Sequence, residues 1–268
     1  HRLQIKCADG RISACYDGKP LRPRVILHRT VAAFQGIVVP ALKLWASEET
    51  VVLNEPNAAY CSRDKLLTYI ALYGAEVPIV QTIALFEPSE EAVQSLAGHQ
   101  GVILKPAHGV RGEGIRAFGS TDELLTAWED HNLRQQSPLS LMREHYLVQP
   151  LVNGGGRDLR AFVVNDACVA LMQRQALPGE VRANLALGAT STPLSLDHPA
   201  ASTAVAALEA CRLDYGGVDL IEDHDGTVRV LEVDAWAGFA GISAVTGTDV
   251  ADAILRLAMM RRPGGIAT

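Results

Sequence analysis

Residues 104–115 read LKPAHGVRGEGI: a lysine at the end of an apolar run, then a proline, then three glycines. The apolar residues on either side, at 102–104 and 115–118, predict two strands joined by this glycine-rich loop. Glycine lacks a Cβ, so backbone N–H groups in such a loop can approach an anion closely, and Lys105 adds a positive charge beside them. The stretch indicates a phosphate-binding loop, with an ordinary glycine-rich hairpin turn as the alternative.

Two common phosphate-binding motifs do not fit this loop. A Walker A loop has a lysine and then Ser or Thr directly after its last glycine, whereas Ile115 follows Gly114. A dinucleotide-binding fingerprint opens a helix at that point, whereas residues 115–118 favour a strand. The loop alone therefore does not identify the fold.

Acidic residues end two apolar segments in the last third of the chain. Residues 217–219 read GVD and residues 231–234 read LEVD. If these segments pair as a hairpin, Asp219 and Glu232 can lie on one face, and Glu232 shares that face with Asp234, two residues further on. Converging carboxylates need a cation, and Mg²⁺ prefers hard oxygen ligands while leaving coordination positions for substrate phosphates. The pattern predicts a magnesium–nucleotide site, with outward-facing strand residues as the alternative.

Helical and strand patterns alternate in the first half of the chain, whereas strands follow one another closely in the second. This mixture predicts an α+β fold. Residues 176–193, rich in Ala, Gly, Ser and Thr, read as a long functional loop, and Ser62 as a helix N-cap. Strands are predicted at 24–28, 51–54, 102–104, 115–118, 146–149, 159–164, 168–174, 217–222 and 228–233, and helices at 34–45, 62–73, 90–97, 122–131, 199–211 and 249–260.

Composition narrows the class of protein. The net charge of −6 argues against a general nucleic-acid binder, and no apolar run approaches the ~20 residues of a membrane helix. Residues 1–29 contain seven Lys or Arg and two Asp, which reads as a solvated basic edge. The five cysteines are scattered and form no CxxC pair, which suits reduced thiols in a cytoplasmic protein.

Eight short motifs occur in one order along the chain. They are NEPN at 54–57, RDKL at 63–66 with Thr68 and Leu72, VP at 77–78 with Thr82, the loop at 104–115, YLVQ at 146–149, GRDLR at 156–160, GVD at 217–219 and LEVD at 231–234. In this order they resemble the ATP-grasp superfamily, and most closely its RimK-like glutamate ligase branch, over residues 51–254.

The resemblance implies an ATP-grasp fold, in which two α+β subdomains hold ATP between them after a short α/β N-terminal domain. The expected boundaries are 1–60 for the N-terminal segment, 61–150 for the subdomain with the glycine-rich loop, and 151–268 for the subdomain with the magnesium site. The implied cofactors are ATP and two Mg²⁺ ions, with Mn²⁺ as an alternative ion.

The resemblance also assigns roles to individual side chains. Residues expected to bind the nucleotide are Lys65, Lys105, Gly109, Gly112, Gly114, Gln149, Pro150, Leu151, Val152, Asp158, Arg160 and Arg174. Within this set, the two lysines contact the α- and β-phosphates, residues 109–114 close over the β- and γ-phosphates, and the backbone of residues 149–152 faces the adenine edge. Residues expected to act in catalysis are Lys105, Arg182 and Asn184, and the expected metal ligands are Asp219, Glu232 and Asp234.

The implied activity is that of an ATP-dependent carboxylate–amine ligase. It would add L-glutamate, or another amino acid, to a carboxylate-bearing acceptor such as tetrahydromethanopterin or a protein tail, through an acylphosphate and with release of ADP and phosphate. The alternatives are a D-alanine–D-alanine-type or peptide-modifying ATP-grasp ligase and, in a different class, a synapsin-like protein that binds ATP without turnover. Small-molecule substrates, a homodimer or homotetramer, and no nucleic-acid or membrane partner are expected.

Three positions depart from the family pattern. Asp234 stands where relatives usually have Asn, which adds a negative charge to the metal site. Pro150 lies in the adenine-binding segment at residues 149–152, called the hinge, where relatives usually have an acidic residue. Proline also has no N–H to donate. Residues 181–188 (VRANLALG) keep Arg182 and Asn184 but continue with apolar residues where relatives often carry His or Arg, so the acceptor is left open.

Overall fold

A computed structural model describes residues 2–8, 10–20, 23–29, 35–46, 50–97, 99–107, 114–129, 145–152, 156–180, 183 and 188–262. Within these residues, helices and strands are mixed and the strands form four separate sheets. The predicted α+β class is confirmed. None of the helices in this part of the chain has the length and apolar character that crossing a membrane requires.

The N-terminal residues form an antiparallel meander of β1 (Leu3–Ala8), β2 (Arg11–Tyr16) and β3 (Lys19–Pro20). The basic charge of this region predicted only a solvated edge, and these three strands were not predicted from the sequence. The charged residues lie on the exposed side, while Ala14 of β2 packs against Leu42 and Trp45 of helix α1 (Gln35–Ala46). Helix α1 therefore supplies the apolar surface that holds the meander in place.

Strands β4 (Val25–Leu27) and β5 (Val51–Leu53) pair in parallel, with α1 between them in the sequence. Two polar residues follow directly at the carboxyl ends of these strands, His28 and Asn54, and both are buried. Short helix α2 (Pro56–Cys61) comes next. This small unit delivers His28 and Asn54 to the edge of the site described below.

Helix α3 (Lys65–Gly74) starts three residues later than the sequence predicts. Its N-cap is Asp64, whose carboxylate accepts hydrogen bonds from the backbone N–H groups of Leu66 and Leu67 at 2.8 and 3.1 Å. The predicted cap, Ser62, instead ends α2, because a turn separates two helices where the apolar spacing suggested one. The shift makes Lys65 the first residue of α3.

A four-stranded antiparallel sheet carries the glycine-rich region. Its order is β6 (Ile83–Leu85), β9 (Tyr146–Pro150), β7 (Val102–Pro106) and β8 (Arg116–Phe118). Helix α4 (Glu90–Val93), a 3₁₀ turn at Gln94–Leu96 and helix α5 (Thr121–Glu129) cover its apolar face. The predicted strands on both sides of the loop are β7 and β8, which pair antiparallel with each other.

A five-stranded antiparallel sheet forms the second large unit, with β12 (Thr190–Pro193), β11 (Ala167–Gln175), β10 (Arg157–Val164), β13 (Tyr215–Glu222) and β14 (Val228–Asp234) in that order. Helix α6 (Pro199–Ala210) covers one face, and α7 (Ala240–Thr246) with α8 (Val250–Met260) covers part of the other. The last four residues of the predicted loop at 176–193 are strand β12. Edge pairing with β11 gives their polar residues backbone partners that the composition did not indicate.

Each sheet takes its strands from one of the three predicted segments. The meander and the parallel pair come from residues 1–60, the four-stranded sheet from 61–150 and the five-stranded sheet from 151–268. The exact boundaries between the segments stay predictions.

Candidate active site

One face of the five-stranded sheet is divided into a charged half and an apolar half. Alternate residues of a strand share a face. On β10, Asp158 and Arg160 are followed on the same face by Phe162, which packs against the α7–α8 layer. Helices α7 and α8 therefore cover the apolar half and not the charged half.

The strand register brings the charged residues into two adjacent rows. Asp158 of β10 lies opposite Arg174 of β11, and Arg160 lies opposite Asp219 of β13. Asp219 in turn lies opposite Glu232 of β14, as the sequence predicts for a hairpin of these two segments. Two adjacent rows, one across β10 and β11 and the other across β10, β13 and β14, thus contain five of the predicted site residues.

Two arginines neutralise the carboxylates of Asp158 and Asp219. Arg160 donates to Asp219 at 2.6 Å, while Arg174 lies 3.1 Å from Asp219 and donates to both oxygens of Asp158 at 2.6 and 2.7 Å. Burial favours a raised pKa at Asp219, but the guanidinium groups of Arg160 and Arg174 outweigh it and hold the pKa below its ordinary value. Burial raises the pKa of Asp158 above its ordinary value, with Arg174 opposing the rise.

Glu232 has a different cation partner, the ammonium of Lys65 at 3.8 Å. Its side chain is 43% exposed and that of Lys65 only 10%. The groups around the carboxylate nevertheless remove enough water to raise the pKa of Glu232; Asp219 and Asp234 add to the rise, and Lys65 and Lys105 oppose it. Glu232 is thus within electrostatic range of both predicted phosphate lysines.

The three predicted metal ligands share a face without forming one group. Asp234 accepts a hydrogen bond from the backbone N–H of Trp236 at 2.8 Å, while Asp219 and Glu232 have the cation partners given above. Among the residues that the structure describes, no three His, Cys, Asp or Glu side chains are close enough to hold a metal ion together. The assignment of the three carboxylates to Mg²⁺ stays a prediction.

Lys105 lies on β7 and its side chain reaches the same region. Its contact with Tyr69 was not predicted from the sequence. Lys105 is 6% exposed, and its ammonium donates to the hydroxyl of Tyr69 at 2.9 Å. Gln149 also donates to this hydroxyl, at 3.0 Å, and to Thr82 at 2.7 Å. Tyr69 stands four residues after Lys65, which places both on one face of α3. That spacing is the signal that could have identified Tyr69.

The predicted adenine-binding segment at residues 149–152 is only partly available to a ligand. The side chain of Gln149 points at Tyr69, and Pro150 has no N–H. The backbone N–H of Leu151 donates to the carbonyl of Gly101 at 2.9 Å, so this donor is already used within the protein. Val152 packs beside Val80 and Ile221, which gives the segment an apolar surface.

The glycine-rich loop and the second catalytic segment lie largely outside the described residues. Gly109, Gly112, Arg182 and Asn184 are among the positions not described, so their predicted roles stay predictions. Gly114 is described: its φ is +76°, and a Cβ there would lie 2.7 Å from the ring of Pro106. A left-handed backbone in close contact with a neighbouring ring requires glycine at this position.

The segment after Asp234 contacts the carboxyl ends of the parallel strands. Arg29 donates to the backbone carbonyls of Trp236 and Ala237 at 2.7 and 3.0 Å. The guanidinium of Arg63 lies 5.5 Å from the centroid of the Trp236 ring. Neither Arg29 nor Arg63 has a role predicted from the sequence, because their partners are about 170 to 210 residues away.

The sequence pattern of the RimK-like ATP-grasp domain matches residues 62–258. The chain belongs to this family. It is therefore an ATP-dependent ligase that forms carbon–nitrogen bonds, and its fold is the ATP-grasp fold. The matched range includes both lysines, the hinge, the arginine pairs and all three carboxylates described above.

Relatives agree with the RimK-like ATP-grasp assignment. The chain is 31% identical over 260 residues to a "Probable alpha-L-glutamate ligase" of Xanthomonas euvesicatoria pv. vesicatoria, covering 95% of this chain and 84% of the relative. It is 29% identical over 261 residues to a protein of the same name from Stutzerimonas stutzeri, covering 95% and 83%.

Two solved structures share the fold at low sequence identity. The ATP-grasp ligase PsnB, complexed with a minimal precursor, superposes with a TM-score of 0.69 at 21% identity, covering 96% of this chain and 86% of that one. The D-alanine–D-alanine ligase of Coxiella burnetii superposes with a TM-score of 0.64 at 15% identity, covering 95% and 74%. At these identities the likeness shows the fold alone.

Proposed function

We propose that this RimK-like ATP-grasp ligase joins L-glutamate, or another amino acid, to a carboxylate-bearing acceptor such as a cofactor or a protein tail. The reaction would pass through an acylphosphate and release ADP and phosphate. The observation that carries the proposal is the meeting of Lys65, Lys105 and Glu232 at the uncovered half of the sheet face. The names of the relatives supply the suggestion of glutamate.

The charge balance of the site supports binding of a nucleotide together with metal ions. Among the predicted phosphate, metal and strand-row residues, four carboxylates stand against four cations: Asp158, Asp219, Glu232 and Asp234 against Lys65, Lys105, Arg160 and Arg174. Because these charges balance, the negative charges of ATP need additional cations, and two divalent ions would supply them. ATP-grasp ligases use ATP and Mg²⁺.

The donor set of the described site fits magnesium. Asp219, Glu232 and Asp234 offer carboxylate oxygens, and Glu232, with 43% of its side chain exposed, has an open side for a ligand. When bound, the ions would neutralise charge on the transferred phosphoryl group. To hold them, Asp219 and Asp234 would have to give up their contacts with Arg160 and the Trp236 backbone.

The protein's own contribution to the chemistry would be positioning and charge stabilisation. Lys65 and Lys105 would hold the phosphates in line with the substrate carboxylate. That carboxylate oxygen would attack the γ-phosphorus, forming a P–O bond to the acyl group as the bond to ADP breaks. The amine would then attack the acyl carbon and phosphate would leave, with Arg182 and Asn184 proposed to face the developing charge.

A coupled assay of ADP release tests the proposal. Purified protein with ATP and Mg²⁺ is supplied with amino acids and candidate acceptors in pairs, and nucleotide products are separated. We expect ADP and phosphate only when both substrates are present. Formation of AMP and pyrophosphate would contradict the acylphosphate route. ADP release with D-alanine alone would indicate the D-alanine–D-alanine type, and tight ATP binding without release under any mixture would indicate the non-catalytic alternative.

A further inference from the structure

The hydroxyl of Tyr69 lies where helix α3 meets three strands from two different sheets. Tyr69 is on α3 and 4% exposed. Its hydroxyl donates to the carbonyl of Leu231 on β14 at 2.7 Å. It accepts from the Lys105 ammonium of β7 at 2.9 Å and from the Gln149 amide of β9 at 3.0 Å. A phenol has one donor and two acceptor positions, so all of its hydrogen-bonding capacity is used.

We propose that Tyr69 is a positioning residue for nucleotide binding, which holds the ammonium of Lys105 at a set distance from Glu232. This inference rests on the proposed function, because it takes Lys105 as a phosphate ligand. Leu231, whose carbonyl accepts from Tyr69, immediately precedes Glu232 in the chain. The hydroxyl therefore links the cation on the four-stranded sheet to the carboxylate strand of the five-stranded sheet.

The chemistry of the Lys105 side chain explains why a phenol suits this role. A free lysine side chain samples many rotamers, and fixing it when a ligand binds costs free energy. Tyr69 orders Lys105 before the ligand arrives, and its neutral oxygen does not itself cancel the positive charge. Lys65, in contrast, faces the charged Glu232 at 3.8 Å. An ammonium has three N–H donors, so Lys105 keeps two for phosphate oxygens while one contacts Tyr69.

Gln149, the first residue of the hinge, also contacts the Tyr69 hydroxyl. Its amide group donates both to Tyr69 and to Thr82, at 3.0 and 2.7 Å. The side chain is therefore held in one orientation, and the hinge strand β9 is tied to the lysine strand β7 through Tyr69 as well as through their ladder. Loss of the hydroxyl would free Lys105 and loosen the β7–β9 sheet from β14.

A double-substitution experiment on nucleotide affinity tests the proposal. Binding of ADP with Mg²⁺ is measured by titration calorimetry for wild type, Tyr69→Phe, Lys105→Met and the double variant. We expect Tyr69→Phe to weaken binding about tenfold in the wild-type background and less than about twofold when Lys105 is already Met. Tyr73→Phe is the matched control, since it lies on the same helix at 78% exposure, and its affinity should equal that of wild type.

The outcomes separate this inference from the proposed function. If wild type does not bind ADP with Mg²⁺, both are wrong. If wild type binds and Tyr69→Phe binds equally well, or weakens binding by the same factor in both backgrounds, Tyr69 has at most a structural role and only the inference fails. Should Tyr69→Phe not fold, the measurements are repeated in a Gly74→Ala background, where no atom obstructs the added methyl group. Failure to fold there too would overturn the positioning role.

Discussion

Asp219 lies directly opposite Glu232 in the β13–β14 ladder, and the two carboxylates have different cation partners. Asp219 is bound by Arg160 at 2.6 Å, whereas Glu232 faces Lys65 at 3.8 Å. The first pair is a short hydrogen bond within the sheet, and the second is a longer contact between the sheet and α3. Glu232 is therefore the carboxylate that a ligand can reach with the least rearrangement.

Replacement of Glu232 by Gln should remove activity without loss of stability. The pKa of Glu232 is raised, chiefly by loss of water, so the charged form is disfavoured in the folded protein and a neutral isostere should be tolerated. We expect ADP release to fall by about 10²–10³-fold, with a melting temperature equal to or above that of wild type. Glu209→Gln on the exposed side of α6 is the control, and retained activity in Glu232→Gln would remove this residue from the metal site.

Asn54→Ala should destabilise the protein strongly. The Asn54 side-chain oxygen accepts from the backbone N–H groups of Asp214 and Tyr215 at 2.7 and 2.8 Å, and its amide donates to the carbonyl of Ala235 at 3.3 Å. The substitution leaves these buried groups unpaired, so we expect a loss of about 2–4 kcal/mol in the free energy of unfolding, measured by urea titration. Asn57→Ala, at an exposed position three residues away, should change it by less than about 0.5 kcal/mol.

Gly217→Ala should disturb the packing beside the Arg160–Asp219 pair. A Cβ at this position would lie 2.5 Å from the Cβ of Ala237 and 2.8 Å from a guanidinium nitrogen of Arg160. We expect a loss of about 1–3 kcal/mol in urea unfolding, together with weaker nucleotide binding. Gly74→Ala, where nothing lies within 4 Å, should leave both unchanged or raise stability slightly. Equal effects of the two substitutions would contradict this reading of the contact.

His28 should make stability depend on pH in the mildly acidic range. Burial lowers the pKa of His28 below 6.5, although its hydrogen bond to the carbonyl of Asn54 opposes the shift. The unfolded chain then binds a proton at higher pH than the folded protein does, so stability is complete above about pH 6.5 and is lost as the pH falls below it. Between pH 7.5 and 5.5, the melting temperature of wild type should fall more than that of His28→Gln. A parallel fall in both proteins would refute the assignment.

Short-range patterns were sufficient for much of the fold. The strands beside the glycine loop, the hairpin that carries GVD and LEVD, and helices α6 and α8 follow from residue spacing within a single segment. The opposition of Asp219 and Glu232 also follows, because a hairpin with side chains alternating at a period of two leaves few registers. The β1–β3 meander and β12 were missed, since edge strands with charged or small polar residues resemble loops until a partner supplies their hydrogen bonds.

The sequence by itself determined the family, the α+β class and the identity of the ionisable residues, because motif order and local periodicity are properties of the chain alone. The tertiary structure decided how those residues are paired. Arg160 and Arg174 both contact Asp219, and Asp234 accepts from the Trp236 backbone. The Leu151 N–H donates to the Gly101 carbonyl. The Tyr69 hydroxyl lies between Lys105 and Leu231. Each of these contacts joins groups on different strands or helices, or depends on how one segment is bent, and the energy of a hydrogen bond or ion pair depends on distance and burial that no linear pattern contains.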